Sequence, residues 1–523
     1  MLRNCLLLLA AAACFAQQAD VVYRNGRIWT GSGFVDSLAV AGNRIAPAGA
    51  TGPRTRVVDL GGRFAMPGIH DAHIHFLGGS IGLTQVDLTG ACTLEAMQKR
   101  VADFARDNPN EPWITGRGWE YYCFPNARLP RREDLDAVVR DRPVYLKAYD
   151  GHTGWSNSMA LRIAEVRKDS RFTGYGEIVR DANGEPAGAL KEGAMALVAR
   201  HVPQMTRAQK AAALRRGLVL AASLGITSMQ NASGDEEEVG LYAEMPHTVR
   251  MAVAMSSGAA TAEDVARWQA LRRRHANEWL NVNAVKFMID GVIESKTAAM
   301  LEPYADGSKD VGGPAWKEAE FRAAIARVHA AGFTILTHAI GDRGVRITLD
   351  AYAATGRPAG HRIEHIETVH PDDIPRFAKL GVIASMQPIH ADPDTVDVWS
   401  KMIGPRRLPL SFPWHSLEKA GSKLLFSSDW PACLTVNPWR GVHNAVNRRT
   451  IEGNPPGGWL PEQRVSVETA LKAYTSGKAL LPGRDADFIV LSQNLFDIEP
   501  MKIHQTRVLL TVVDGKPVHD ELR

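Results

Sequence analysis

The chain has 523 residues, 45% of them apolar and 23% charged, with a formal net charge of +4. That length exceeds one minimal core and calls for a large domain with an accessory one, and the composition is that of an ordinary globular protein. No basic block or RNA-type aromatic motif occurs, which argues against a nucleic-acid-binding function.

The first 16 residues stand apart. Arg3 precedes an apolar run from Leu6 to Ala16, broken by Gln17-Gln18-Ala19-Asp20. A charged start, a short apolar core and a small residue at the break describe a secretory signal. The run is too short to span a bilayer, which needs about 20 apolar residues. Cleavage after Ala16 and export to the periplasm or medium are expected; Ala11-Ala12-Ala13-Cys14 offers a second, lipoprotein-type register anchored at Cys14. Loss of this segment reduces five cysteines to Cys92, Cys123 and Cys433. An odd, scattered set gives no disulfide framework and reads as small buried side chains.

Residues 20–66 read as short strands and turns, with strands expected at 20–23, 27–30 and 37–40. Residues 470–523 have the same texture, with strands at 486–491 and 507–513. Strands from both chain ends can pair into one small β-sandwich domain and so cover each other's edges. Between them, over 67–469, eight apolar strand candidates end near His75, Met229, Met255, Ile289, His338, His365, Met386 and Asp429. Amphipathic stretches such as 318–331 and 371–380 alternate with them. Strand–helix alternation repeated eight times predicts an α/β fold, a (β/α)8 TIM barrel. Too many residues separate the first two strands, so about 76–203 is an insertion capping the barrel mouth, in which the Gly-rich 172–191 reads as turns.

Barrel enzymes draw catalytic residues from the C-terminal ends of several strands. His73 and His75 close Met66-Pro67-Gly68-Ile69-His70-Asp71-Ala72-His73-Ile74-His75, and strand alternation points both the same way, with Asp71 on that face too. Two imidazoles at that spacing can share a Zn²⁺-type ion. A lone His-X-His serves a structural pair equally well. Here, however, His338, His365 and Asp429 take the same place on three other strands. Lys286 lies inside the apolar Val285-Lys286-Phe287-Met288-Ile289-Asp290-Gly291, where a charge must be neutralised, paired or modified. A salt bridge to Asp290 or Glu294 is one reading; CO₂ addition to the amine, giving a metal-bridging carbamate, is the other.

Taken with His338-Ala339-Ile340-Gly341-Asp342-Arg343, Arg362-Ile363-Glu364-His365, Ser385-Met386-Gln387-Pro388-Ile389-His390 and Ser428-Asp429-Trp430-Pro431, these motifs resemble the amidohydrolase superfamily. More narrowly the chain resembles the amidohydrolase-3, YtcJ-like branch, which includes N-substituted formamide deformylases. The resemblance runs from about Ala19 to the C-terminus. It implies two zinc ions, with His73, His75, carbamylated Lys286 and Asp429 on one, and Lys286, His338 and His365 on the other. Two departures stand out. His70 replaces a usual aliphatic residue and, with parity opposed to His73, reads as packing. The stretch from Ala473 to Asp487 is shorter than the family pattern, which puts the junction between barrel and small domain in doubt.

A divalent ion can acidify a water and polarise a scissile carbonyl, and a neighbouring carboxylate can carry the proton to a leaving amine. Asp429 is expected to be that shuttle; its bland alternative is an N-cap for the helix after the eighth strand. His152 in Asp150-Gly151-His152-Thr153-Gly154-Trp155, together with Gln387, His390, Trp430 and Trp119, forms the expected substrate-contact set, whose aromatics suit an apolar or aryl N-substituent. Cleavage of a C–N amide bond in a small-molecule substrate follows, with homodimerisation left open. A lactonase, a cyclic-amide hydrolase or an isomerase could use the same metals. A non-catalytic binding protein would have lost a ligand or Asp429, and none is lost.

Overall fold

A computed structural model describes residues 18–522 except 150, 175, 357, 359 and 434. The signal segment and Cys14 lie outside the described residues. The centre is one eight-stranded parallel sheet made of β1 (Ile69–Ile74), β2 (Ile226–Gly234), β3 (Arg250–Ser256), β4 (Leu280–Met288), β5 (Thr334–Ala339), β6 (Arg362–His365), β7 (Ile383–Met386) and β8 (Leu424–Phe426), paired in sequence order. Just past β8 the chain closes the ring against β1: Asp429 N donates to His73 O at 2.8 Å, and His75 N donates to Trp430 O at 2.9 Å. These are the barrel and the strands expected from the sequence, with ends shifted by a few residues.

Parallel strands buried on both faces read as near-continuous apolar runs. On β4, Ala284 faces the lumen and packs with Ala254 and Leu336. Phe287 points outward against Trp316 and Phe321 of the Glu318–Ala330 helix. Polar lumen residues are satisfied in pairs. Buried Arg362 donates to Glu364 at 2.8 Å, to Ser385 Oγ at 2.9 Å and to Ala72 O. His70 meets Ser228 Oγ at 2.9 Å, away from the mouth, which agrees with its opposed parity.

Both chain ends build the small domain. Phe488–Leu491 runs antiparallel to Phe64–Pro67 in a six-stranded sheet, and a four-stranded sheet carries Val21–Arg24 and Leu38–Ala41. The two sheets share a core that includes Tyr23, Ile28, Val40, Phe488, Val490 and Leu510. The shortened junction closes directly: Leu480 N donates to Thr30 O at 2.9 Å, Gly483 N to Ile45 O at 2.8 Å, and Lys478 Nζ to Ser228 Oγ at 2.6 Å.

The insertion after β1 is a six-stranded sheet with its own core, and it corrects two expectations. The Gly-rich 172–191 is not only turns; it carries the hairpin Gly176–Arg180 and Pro186–Glu192. The glycines serve close approach: a Cβ on Gly188 would sit 2.4 Å from Arg132 N. Cys92 and Cys123 are not independent buried thiols but a disulfide, with Cα atoms 4.6 Å apart. Their 31-residue separation hid the pairing, because the intervening helix Leu94–Asp107 and strand Ile114–Trp119 return the chain to its start. Cys433 is free.

Candidate metal centre

At the C-terminal mouth the β1 ligands meet the end of β8. His73 Nε2 lies 3.5 Å and His75 Nε2 3.3 Å from Asp429 Oδ1, an atom that is buried and accepts no hydrogen bond. Lys286 Nζ comes within 3.2 Å of His73 Nε2. Ligand atoms of His73, His365 and Asp429 all fall within 4.8 Å of one another. The His338 and His365 rings lie 4.5 Å apart. The structure thus brings all six expected ligands to one end of the lumen.

The outer nitrogen of each imidazole is engaged, which fixes the ring and leaves the other nitrogen for a metal. His73 Nδ1 is held by Glu364 Oε2 at 2.7 Å, His75 Nδ1 meets Ser233 Oγ at 3.2 Å, and His365 Nδ1 donates to Gln387 Oε1 at 2.8 Å. His338 donates through Nε2 to Gly291 O at 3.0 Å, leaving Nδ1. Burial, helped by Lys286, pushes His73 and His338 down to about 4, and burial and His338 hold His365 well below its ordinary value. All three imidazoles are therefore neutral near pH 7, the form that ligates. Burial brings Lys286 down to about 8. Burial opposes ionisation of Asp429, but His73, His75 and His365 overcome it and hold the carboxyl well below the usual range.

Strand alternation alone would turn His365 out of the lumen, since Arg362 and Glu364 point in. Left-handed backbone at His365 (φ 75°) and Ile366 (φ 50°) turns the ring back towards the mouth. Asp429 is likewise left-handed (φ 57°). Such conformations are costly for residues other than glycine and collect at functional sites. Asp71 is not at the metal cluster: it accepts from Ser428 Oγ at 2.6 Å and Ser428 N at 3.1 Å, so it anchors the segment carrying Asp429. The helix after β8, Pro438–Asn447, is capped by Asn437, which leaves Asp429 free of that duty.

Neither expected salt-bridge partner reaches Lys286. Asp290 accepts from Ala299 N, Ile340 N and Gly341 N at 2.9–3.1 Å, and Glu294 is exposed on the following loop. Among the described residues Lys286 forms no ion pair within 4 Å, so the paired-ammonium reading fails. The substrate-contact set divides. His390 stays at the mouth, with Nε2 3.7 Å from Asp429 Oδ2 and Nδ1 3.6 Å from Glu367 Oε1. Trp430 is half-buried beside Asp429. Gln387, 2% exposed, has both amide ends engaged, by His365 and by Ser427 Oγ at 3.0 Å, so its amide is turned inward against the His365 ring. Trp119 has no exposed surface; it packs on Tyr121, Phe124 and Trp155 inside the insertion. His152 is exposed and pairs with Glu192 at 3.0 Å.

Residues 56–519 match the amidohydrolase family, Amidohydro_3. The chain belongs to that family. It is a metal-dependent amidohydrolase, a hydrolase of the class acting on carbon–nitrogen bonds. Its relatives include Protein LONG AFTER FAR-RED 3 of Arabidopsis thaliana, 30% identical over 96% of this chain and 92% of that one. Another is the putative amidohydrolase YtcJ of Bacillus subtilis, 27% identical over 90% and 91%. N-substituted formamide deformylase of Arthrobacter pascens is 26% identical over 91% and 92%. Among solved structures, an uncharacterized metal-dependent hydrolase from Pyrococcus furiosus superposes with a TM-score of 0.72 at 26% identity, covering 92% of this chain and all of that one.

Sequence reasoning did not assign Glu364 although it lies inside Arg362-Ile363-Glu364-His365. Its signal was parity with Arg362: two opposite charges on the lumenal face of one strand. Burial would raise the Glu364 carboxyl, but Arg362 and His73 bring it to about 2. Glu367, held by Trp399 Nε1 at 2.7 Å, was also missed and carries no comparable pattern.

Proposed function

We propose that this amidohydrolase cleaves a C–N amide bond in an N-acyl or N-formyl amine, using a two-zinc centre and Asp429 as proton shuttle. One observation carries the reading: two imidazole nitrogens converge on Asp429 Oδ1, a buried carboxylate oxygen without a hydrogen-bond donor. Such an atom is costly unless something cationic completes it, and the nitrogen–oxygen donor set fits zinc. His73, His75 and Asp429 would hold one ion and His338 and His365 the other, with Lys286 between them as a carbamate. In that modification CO₂ forms a bond to Nζ and one proton is released. When bound, zinc polarises carbonyls and acidifies water.

The chain's own residues then act as follows. Asp429 accepts a proton from the attacking water as its oxygen bonds to the carbonyl carbon. As the C–N bond breaks, Asp429 returns that proton to the departing nitrogen, giving a carboxylic acid and an amine. Glu364, Ser233, Gln387 and the Gly291 carbonyl keep the imidazoles oriented. The name of the formamide-cleaving relative supports the formyl end of this range.

Protein grown with zinc should contain about two ions per chain, the stoichiometry of a two-metal hydrolase, and should hydrolyse N-acyl amines or formamides in preference to lactones and hydantoins. Near-zero metal would overturn the centre; lactone cleavage without amide cleavage would overturn the substrate class. Lys286→Ala should lose both metal and turnover.

Export is a second proposal, supported by the Cys92–Cys123 disulfide, since such bonds persist in oxidising compartments. Protein from the native host should begin near Gln17 and carry one free thiol per chain. Cys123→Ser should cost about 2–4 kcal/mol of stability. Five free thiols and an intact Met1 would count against export.

A further inference from the structure

Met288 ends β4, two residues beyond Lys286, so the two side chains share a face. Lys286 points into the lumen to within 3.2 Å of His73 Nε2, and Phe287 between them packs outward. Met288 therefore stands over the metal centre, and its partner in register is His338. It is also 46% exposed, the one large apolar side chain of the eight barrel strands that is. An apolar side chain left open directly above converging polar ligands is where a ligand's own apolar surface fits.

Trp430 follows the end of β8 by four residues. β4 and β8 are four strands apart in an eight-stranded barrel, so their ends face each other over the lumen. The Trp430 indole lies flat against Gly79 of the Phe76–Gly82 helix, so close that a Cβ there would sit 2.1 Å from Cε3. Gly79 is helical, and its backbone conformation needs no glycine; the need is room for the ring.

We propose that Met288 and the Gly79-seated Trp430 ring are opposing walls of an apolar slot above the metals, which selects an amide substrate bearing a flat aryl or arylalkyl group. Sulfur–ring contact on one side and ring stacking on the other both favour an aromatic substituent over an alkyl one. The substrate class rests on the amide-hydrolase reading; the slot itself does not.

The test therefore avoids turnover. Benzohydroxamate and acetohydroxamate carry the same metal-binding head and differ in the aryl group. With zinc-loaded full-length protein, calorimetry should show benzohydroxamate binding about 10- to 100-fold tighter, the worth of burying one large apolar group. Met288→Ala should shrink that ratio about fivefold or more, and Gly79→Ala, by expelling the indole, should shrink it too. Metal content is measured beside each ratio. Should Gly79→Ala fail to fold, Met288→Ala and Met288→Glu still decide the matter. A wild-type ratio near one, or a ratio unmoved by the Met288 variants, would overturn the slot. A normal ratio in an enzyme that cleaves no amide would instead leave the slot standing and remove the amide reading.

Discussion

The two sides of the barrel mouth hold their ligands by different means. On the β1–β8 side, His73 and His75 already converge on a buried carboxylate, and His73 is fixed from behind by a second one, Glu364, itself paired with Arg362. On the β5–β6 side, His338 and His365 hydrogen-bond to neutral acceptors, a backbone carbonyl and an amide oxygen, and the nearest carboxylates, Asp290 and Asp429, stand 3.7 and 3.8 Å away. Hydrogen bonds with an ionised partner are roughly twice as strong as neutral ones. One half of the centre is thus set by charge within the barrel interior, and the other by backbone turns at strand ends. The first should be rigid without metal, and the second should depend more on the metal to hold its geometry.

The largest effect tests the charged side. Asp429→Asn keeps size and one oxygen but removes the proton acceptor. Its kcat should fall by about 10²–10⁴-fold, the usual worth of general acid–base catalysis. Metal analysis should show both ions largely retained. Near-wild-type turnover with metal intact would mean that Asp429 only ligates.

A smaller effect sharpens the comparison directly. Groups that orient a metal-bound histidine are typically worth about 10–100-fold in metal affinity. Glu364→Gln, which keeps the shape and a contact to Arg362, should fall towards the upper end, and Gln387→Ala towards the lower. Chelator-competition titration measures both, with a melting curve to separate lost affinity from lost fold, because Glu364→Gln leaves Arg362 short of its counter-charge. Equal losses would break the contrast between the two sides.

How much of this the sequence carried follows from the same division. Parallel strands buried on both faces are long apolar runs, so β1 to β8 and the polar side chains gathered near their tips were legible, as was the pairing of both chain ends into a small domain. Period-2 alternation put His73 and His75 on one face, and the structure turns both towards Asp429, with Lys286 beside His73. Alternation could not place His365, whose orientation depends on positive φ at residues 365 and 366, a torsion that leaves no trace in spacing. Nor could it tell that Gln387 and Trp119 turn inward, because polar and aromatic residues next to a site look alike whether they meet substrate or support a ligand. The insertion was least legible. Its glycines permit close strand contact where composition suggests turns, and its disulfide joins cysteines that only the fold brings together.

The insertion supplies the last and smallest prediction. It is braced internally by its own core and by the disulfide, yet Arg117 ties it to the barrel mouth: Nη1 donates to Pro431 O and Nη2 to Tyr149 O, each at 3.2 Å. Pro431 lies two residues beyond Asp429, so this guanidinium connects the cap to the segment that carries the shuttle. Arg117 is exposed, and an exposed contact contributes little, about 0.2–1 kcal/mol even for an ion pair. Arg117→Ala should therefore leave metal content and kcat close to wild type and raise KM about two- to fivefold, since a loosened cap affects how substrate is held and not how the ions are. Steady-state kinetics with metal analysis on the same preparation decides it. If metal is lost instead, the cap belongs to the charged side of the mouth, and its rigidity is not set by the barrel alone.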